Sequence, residues 1–235
     1  MKNFMKKMDQ VKQQTMEKMG NKESQADNDA TKEQKDKLRV IKTEYKELYT
    51  VGKIYAQETE KSTQQGSQFA DALAQFGSTF LSDEQVGVCL KNVGVQLKSV
   101  EQSRQNCNVN SVQCLVNPIG KFQDSEIKKA RDTKHKQDQV RIRYDTALDR
   151  LNEAKKKNEA NSLKVKGLEN ECEEIKVEYD AVTAEFNQVM EQLNIEMNKQ
   201  LVAQLREYTL QQLAFYKQAS ALWAETAELL EDFRG

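Results

Sequence analysis

Lysine and arginine side chains are the residues of this chain best suited to a chemical task, and that task is the binding of negatively charged groups. About 13 basic and 6 acidic side chains lie between Lys128 and Lys166, whereas about 5 basic and 14 acidic ones follow from Gly167 onward. The formal net charge of the whole chain is only -1. The basic block therefore predicts a local anion-binding surface on a nearly neutral protein.

Catalysis and nucleic-acid binding are not indicated. The one histidine, His135, lies in a lysine-rich stretch, and there is no glycine-rich phosphate loop or nucleophile motif. An isoelectric point of about 6.1 argues against nucleic acid. The cysteines lack CxxC spacing, which favours reduced thiols over a zinc site; they are Cys89, Cys107, Cys114 and Cys172. We expect no enzyme, no metal and no cofactor.

Heptad repeats organise the chain from Thr31 to Phe233, and the single proline, Pro118, interrupts the longest run. A repeat sustained over about 200 residues predicts a few very long helices packed as coiled coils. The predicted fold class is all-α, with three long, kinked, antiparallel helices. No stretch approaches the roughly 20 apolar residues of a membrane span, and no secretory signal is present, so we expect a cytoplasmic protein that touches membranes from outside.

The first predicted helix starts at a capping box formed by Thr31 and Gln34. Its heptad edge consists of Leu38, Ile41, Tyr45, Leu48, Gly52, Tyr55, Thr59, Ser62, Gly66, Phe69, Leu73, Phe76 and Phe80. The small residues in the middle of this edge would let another helix approach closely. Local flexibility of the glycines is an equally good explanation.

The second predicted helix starts at another capping signature, Ser82 with Gln85, and its seam begins with Val86, Leu90, Val93, Leu97 and Val100. Pro118 predicts a kink or short break between Cys114 and Pro118. A polar turn at residues 158–162 precedes the third seam, which begins with Leu168, Cys172, Ile175, Tyr179, Val182, Phe186, Val189 and Leu193.

Charge register predicts an antiparallel hairpin between the second and third helices. Residues that flank the two seams fall opposite one another as Arg150 with Glu171, Arg143 with Glu178, and Lys136 with Glu185. Such exposed pairs set alignment more than they add stability.

The other flank of the second helix carries Lys134, Arg141 and Lys155 with no complementary acidic row on the third helix. A solvated face that confers solubility is one explanation. The other is a row of cations presented to an anionic surface and extended, where the hairpin turns, by Lys156, Lys157, Lys164 and Lys166.

Residues 1–20 predict an amphipathic, membrane-inserting helix. Its apolar strip includes Phe4, Met5, Met8 and Val11, and lysines lie beside the strip, as an interfacial helix requires. We call this segment the leader and expect a polar linker at residues 21–30. A disordered tail with chance amphipathicity is the alternative.

The stretch from Leu115 to Lys157 carries several motifs in a fixed order. They are Pro118 followed by the aromatic Phe122, a basic stretch, the Tyr144-Asp145 pair, and a lysine-rich end; a weaker echo lies at Ala214 to Trp223. In this order they resemble the N-BAR domains of the amphiphysin and endophilin group, and the resemblance covers residues 31–233 with the leader in the expected place.

The resemblance implies an antiparallel homodimer, in which three helices per subunit form a six-helix bundle with two arms that binds anionic phospholipid membranes and senses or generates curvature. It also implies a setting in endocytosis or membrane trafficking, with endocytic or cytoskeletal proteins as further partners. Many relatives carry a C-terminal SH3 domain, and we expect a lone or trimmed module here. The implied lipid-binding residues are Lys128, Lys129, Arg131, Lys134, Lys136, Arg141, Arg143, Lys155, Lys156, Lys157, Lys164 and Lys166.

The competing hypothesis is a structural coiled-coil or spectrin-like interaction protein that does not bind lipid. It explains the heptads and the charge pairs equally well. It gives no role to the leader or to the basic flank.

Overall fold

The computed structural model describes residues 24–82, 84–157 and 162–231, together with Val11 and Thr15. Within these ranges no residue lies in a strand, so the predicted all-α class is confirmed. The first long helix is α1 (Asp29–Thr79) and the third is α5 (Leu163–Glu231). The second is a continuous helical stretch of α2 (Gln85–Ser111), a π-helical turn (Val112–Val116), α3 (Asn117–Phe122), a second π-helical turn (Gln123–Ile127) and α4 (Lys128–Lys157).

The start of α1 is capped by Asn28. Its side-chain oxygen accepts the backbone N–H of Thr31 at 2.8 Å, which is the bond of an N-cap residue to the third helical position. The predicted capping box at Thr31 and Gln34 is therefore wrong, and Thr31 is instead buried in the first turn.

The start of α2 is fixed by a tight backbone turn and not by a side chain. Glu84 precedes the helix and makes no side-chain capping bond, so the predicted cap at Ser82 is also wrong. The N–H of Gly87 donates to the carbonyl of Glu84 at 3.0 Å. A Cβ on Gly87 would lie 1.8 Å from the Leu81 carbonyl oxygen, so this turn requires glycine.

The irregularity predicted before Pro118 is present as a π-helical turn. The N–H of Asn117 reaches back five residues to the carbonyl of Val112. Proline cannot donate to the preceding turn, and a widened turn lets the chain pass it without leaving the helix. The predicted position is confirmed, but the helix does not break.

The described chain divides into two compact units. Unit 1 contains the described residues up to Thr43 and those from Gln123 to Met197. Unit 2 contains Glu44–Phe122 and the described residues from Asn198 onward.

The core of unit 1 follows the predicted heptad seams. Leu151, Val165 and Cys172 pack in one buried cluster, and Val140, Tyr179 and Val182 form another; Tyr144 stacks on Tyr179 with ring centroids 5.4 Å apart. Phe186 and Met190 are fully buried further along α5.

Ion pairs confirm that α4 and α5 are antiparallel. Lys136 meets Glu185 at 2.7 Å and Arg143 meets Glu178 at 2.9 Å, as the charge register predicts. The pairing of Arg150 with Glu171 stays a prediction.

In unit 2, α1 and α2 meet through small residues. A Cβ on Gly77 would lie 2.4 Å from the Gly87 carbonyl oxygen, and one on Gly94 would lie 2.6 Å from the Ala70 carbonyl oxygen. Further along, the Asn108 side chain donates to the Ala56 carbonyl at 2.9 Å.

On the predicted edge of α1 itself, a Cβ on Gly66 would lie 2.7 Å from the Glu101 side chain and one on Gly52 would lie 3.3 Å from that of Val116. Close approach is therefore the explanation that the structure favours for these two glycines.

Several of the large apolar residues of the predicted seams in unit 2 are exposed in a single chain. Because α2 packs on α1 with its glycine face, the bulky heptad positions lie beside that contact and not inside it. The exposed side chains from the predicted seams of the first two helices are Leu48, Tyr55, Phe69, Phe76, Phe80 and Val86.

Replacing Gly94 with alanine tests the close contact. The new Cβ would meet backbone atoms of Ala70 and Ala74 that cannot move independently, so we expect Gly94→Ala to lower the free energy of unfolding by about 1–3 kcal/mol. Urea unfolding followed by circular dichroism at 222 nm measures the change.

Gly167→Ala is the matched control, since a Cβ there meets nothing within 4 Å and the position lies inside α5. It should raise the free energy of unfolding by about 0.5–1 kcal/mol. Equal effects of the two substitutions would contradict the close packing of α1 on α2.

Candidate membrane-binding surface

The predicted lipid-binding residues lie in three different environments. One set is exposed and forms no ion pair with another described residue; it consists of Lys128, Lys129, Arg131, Lys156, Lys157, Lys164 and Lys166. We call these the open cations. They lie at the two ends of α4 and in the first turn of α5, where they can meet an anion without first giving up a partner.

The hairpin tip, defined here as Lys155–Lys157 and Leu163–Lys166, presents cations from two helices. The hydroxyl of Ser162 accepts the N–H of Val165 at 3.3 Å, and Val165 is fully buried. This anchoring leaves Lys164 and Lys166 exposed on either side, while Leu163 is 91% exposed. Cations are unfavourable at a helix N-terminus by about 0.3–1 kcal/mol each, so these two lysines do not stabilise α5.

A second set of cations forms exposed ion pairs between α4 and α5. Lys136 and Arg143 belong to it, and Lys155 joins it through Glu169 at 2.9 Å. All the side chains involved are between 43% and 57% exposed, so each pair contributes little to stability and its cation remains within reach of solvent anions.

The third set contains Lys134 and Arg141, and here the sequence interpretation is wrong. Arg141 is only 7% exposed and donates to Asp145 at 3.0 Å, while Lys134 meets Asp138 at 2.5 Å. Lys35 from α1 bridges Asp138 at 2.7 Å and Asp27 at 2.6 Å. The compensating acids lie four residues along the same helix and on the segment before α1, and not on the third helix.

These residues form a neutral charge network of three cations and three carboxylates, namely Lys35, Lys134, Arg141, Asp27, Asp138 and Asp145. Burial acts to raise the pKa of the Asp138 carboxyl, but hydrogen bonds from Lys134 and Lys35 outweigh it and the pKa is lowered. The network has no net charge to offer a membrane, and Arg141 cannot contact lipid headgroups from its buried position.

Asp145 is the centre of this network and was not recognised as functional from the sequence. Its Oδ1 accepts the N–H groups of Gln25 at 3.0 Å and Ala26 at 2.9 Å, and its Oδ2 accepts the Ser24 hydroxyl at 2.9 Å and Arg141. Burial raises the pKa of the Asp145 carboxyl, and these four donors oppose that shift. The only signal in the sequence was the Tyr144-Asp145 pair, used there as a family motif.

The segment Ser24–Asp27, which we call the strap, is fixed by the same contacts. Besides Asp145, it meets Gln137, whose side chain donates to Asp27 Oδ1 at 2.9 Å, and Tyr179, whose hydroxyl lies 3.0 Å from the Ala26 carbonyl. Burial raises the pKa of Tyr179, and the Asp27 charge adds to the shift. Part of the predicted polar linker is therefore held against α4 and α5.

Most of the predicted membrane-insertion residues lie outside the described residues; these are Phe4, Met5 and Met8. Val11 is helical and 62% exposed, and the Thr15 hydroxyl donates to its carbonyl at 2.8 Å. Insertion of the leader stays a prediction.

Other chemistries find no support in the part of the chain that the structure describes. Its residues include no group of three or more histidine, cysteine or acidic side chains placed to hold a metal ion. Cys107 and Cys172 are buried, and all four thiols are free. Among the described helices, none has the length and apolar character needed to cross a bilayer.

Comparison with known families decides the class of this fold. The sequence profile of the BAR domain matches residues 4–232, which is nearly the whole chain. The chain belongs to the BAR domain family. BAR domains are non-enzymatic scaffolds that generally form dimers and bind membranes.

Similar solved structures agree on the fold of this BAR domain. A BAR protein from Galdieria sulphuraria is 14% identical with a TM-score of 0.69, covering 88% of this chain and 99% of that one. The N-terminal I-BAR domain of IBARa from Dictyostelium discoideum is 15% identical with a TM-score of 0.52, covering 88% and 90%. The expected BAR fold is confirmed, whereas assignment to the N-BAR subclass stays a prediction.

A sequence relative is the Rho GTPase-activating protein gacP of Dictyostelium discoideum. It is 24% identical over 213 residues, which cover 88% of this chain and 37% of the relative. The chain thus spans little more than a third of the length of that protein.

Replacing Arg141 separates a structural cation from an exposed one. Arg141→Ala leaves the buried Asp145 carboxylate without its cationic partner, whereas Asp27 keeps Lys35, so we expect the free energy of unfolding to fall by about 3–5 kcal/mol. Urea unfolding followed by circular dichroism provides the measurement.

Arg131→Ala removes an exposed cation of α4 and serves as the control, with an expected change within about 0.5 kcal/mol. If Arg141→Ala were as stable as Arg131→Ala, the charge network would not support the fold of unit 1.

Proposed function

We propose that this BAR domain is a homodimeric module that binds anionic membranes and senses or generates their curvature. The observation that carries the proposal is the set of open cations on α4 and α5 in a chain of the BAR family. We place the protein in the cytoplasm, on the periphery of membranes, in trafficking processes such as endocytosis. Endocytic or cytoskeletal proteins are the further partners that this setting implies.

The hairpin tip is the strongest candidate for headgroup contact. Lys156, Lys157, Lys164 and Lys166 approach from two helices and are all exposed. A lysine near an anionic leaflet contributes about 1 kcal/mol, so four of them per subunit favour binding by several kcal/mol before any lipid is displaced or bent. Exposed Leu163 lies among these lysines.

Charge reversal tests the tip. Lys156→Glu combined with Lys157→Glu removes two attractive charges without breaking a described ion pair. Losing two attractive charges costs about 2 kcal/mol, and the two glutamates add repulsion from the anionic leaflet. Binding to phosphatidylserine vesicles should therefore weaken by at least about 30-fold, measured by co-sedimentation at physiological salt.

The matched control is Lys37→Glu with Lys46→Glu, which makes the same charge change at exposed positions of α1 outside the proposed surface. It should retain most of the binding. Equal losses for the two double variants would mean that net charge and not the tip governs association.

Dimerisation is supported by the apolar residues that unit 2 leaves exposed. Phe69 is 60% exposed and Phe76 50% exposed, one heptad apart on α1, and Tyr216 on α5 is 65% exposed. Most of the large exposed hydrophobic side chains of the described chain belong to unit 2. Since soluble proteins rarely leave such faces open, a second copy of the chain is the proposed cover.

Sedimentation analysis tests the dimer. The wild-type chain should have twice its mass of 27.0 kDa, and Phe69→Asp with Phe76→Asp should shift it toward the monomer because buried carboxylates would be placed in the interface.

Val40→Asp with Val177→Asp makes the same chemical change at exposed positions of unit 1 and should leave the dimer intact. A wild-type chain that sediments as a monomer at micromolar concentration would contradict the proposal.

The remaining parts of the proposal concern the ends of the domain. We assign residues 31–233 to the BAR domain and the leader, residues 1–20, to insertion into one leaflet, as in the N-BAR class. Insertion would add area to that leaflet and favour curvature. The spectrin-like alternative is disfavoured by the BAR family match over residues 4–232.

A further inference from the structure

The strap is a non-helical segment with three of its four residues hydrogen-bonded to one side chain of α4. Ser24, Gln25 and Ala26 all donate hydrogen bonds to the single carboxylate of Asp145, and the Gln25 side chain donates to Asp149 at 3.0 Å. Asp145 is fully buried. The strap supplies three of the described donors to this carboxylate and Arg141 supplies another, so the strap takes a direct part in offsetting the cost of desolvating a buried charge.

The second carboxylate of the strap fixes its other end. Asp27 is 8% exposed, accepts from Gln137 and Lys35, and has Tyr179 within 3.0 Å. Ala26 packs between these two anchors on the cluster of Val140, Tyr179 and Val182. The strap is thus attached to both helices of the hairpin before α1 begins at Asp29.

We propose that Asp145 and Asp27 are positioning residues that root the leader on the α4–α5 hairpin, so that leader insertion and cation binding act on the same patch of bilayer. This inference rests on the proposed membrane-binding function. In this arrangement the chain that leads to the leader starts from a fixed residue, Ser24, and not from a free linker.

We call the contact between the strap and Asp145 the root, and its position along α4 follows from the helical rise. Asp145 lies 11 residues before Lys156 on α4, which is about 17 Å, and 14 residues after Arg131, which is about 21 Å. The root therefore lies between the two groups of open cations. Val11 precedes Ser24 by 13 residues, so the end of the predicted apolar strip stays within about 45 Å of the root even when extended.

Releasing the strap would lengthen the stretch of chain between Val11 and the first residue that the fold holds in place. Departure from Asp29 instead of Ser24 would extend the reach to about 63 Å and enlarge the accessible volume roughly two- to threefold. The effective concentration of the leader near the bound patch would fall by a similar factor.

A double-mutant cycle in the full chain tests the proposal. Phe4→Asp with Met8→Asp removes the apolar strip of the leader, and Asp145→Asn replaces one acceptor oxygen with an amide that cannot accept the strap donors. We expect the leader substitutions to weaken binding to vesicles of phosphatidylserine and phosphatidylcholine less in the Asp145→Asn background than in wild type. The expected ratio between the two effects is about two to three.

Two further variants keep the test independent of stability. Gln25→Pro removes one N–H donor to Asp145 without altering α4, and it should reproduce the reduced leader effect even if Asp145→Asn does not fold. Val165→Ala destabilises the buried cluster near the hairpin tip, away from the strap, and should leave the leader effect unchanged.

Hydrogen exchange provides the structural readout. The amides of Gln25 and Ala26 should be protected in wild type and lose protection in Asp145→Asn, while amides of α4 and α5 remain protected. Unprotected amides in wild type, or an equal leader effect in wild type, Asp145→Asn and Gln25→Pro, would overturn the inference. Failure of the wild-type chain to bind the vesicles would instead refute the proposed function.

Discussion

The antiparallel contact between α4 and α5 is the interaction on which the rest of unit 1 depends. The apolar seam between them fixes which side of each helix faces outward. It runs from the cluster of Leu151 and Val165 to the cluster of Val140, Tyr179 and Val182. That orientation determines the environment of each predicted lipid-binding residue on the hairpin. Those beside the seam pair with glutamates of α5, those facing the strap enter the neutral network, and those at the ends of α4 and the start of α5 remain open.

Charge cancellation therefore determines the candidate surface more than charge content does. The sequence between Lys128 and Lys166 is strongly basic, but Lys134 and Arg141 are neutralised inside the fold. A surface drawn from composition alone includes them. The open cations are a smaller set, and their distribution concentrates the positive charge at the hairpin tip and near the start of α4.

Periodic features of the fold could be predicted because heptads and charge register are local properties of the sequence. The helical class, the position of the irregularity before Pro118, and the pairs Lys136–Glu185 and Arg143–Glu178 all follow from such spacing. The network around Asp145 could not be found in this way, because its partners at Ser24 and Gln25 lie about 120 residues away and in no helix. The two helix starts were predicted at the wrong residues because several neighbouring residues match the capping pattern equally well. The structure uses Asn28 for α1 and the backbone turn at Glu84 for α2.

Unit 2 shows where the heptad interpretation stops being sufficient. Its helices meet through Gly77, Gly87 and Gly94, which no hydrophobic pattern marks as core, and its bulky residues remain exposed in one chain. Unit 1 has the buried core that its heptads predict, whereas the same pattern in unit 2 requires a partner before its apolar residues can be covered. Unit 1 therefore carries the proposed membrane surface, and unit 2 carries the proposed dimer interface.

The central claim is that the open cations bind an anionic bilayer, and the salt dependence of binding tests it most directly. Wild-type protein should co-sediment with phosphatidylserine vesicles at low ionic strength and should not co-sediment with phosphatidylcholine vesicles. Its affinity for the anionic vesicles should fall steadily as added salt shortens the screening length from about 30 Å toward about 8 Å. Binding that is insensitive to salt, or equal for neutral and anionic vesicles, would contradict the account.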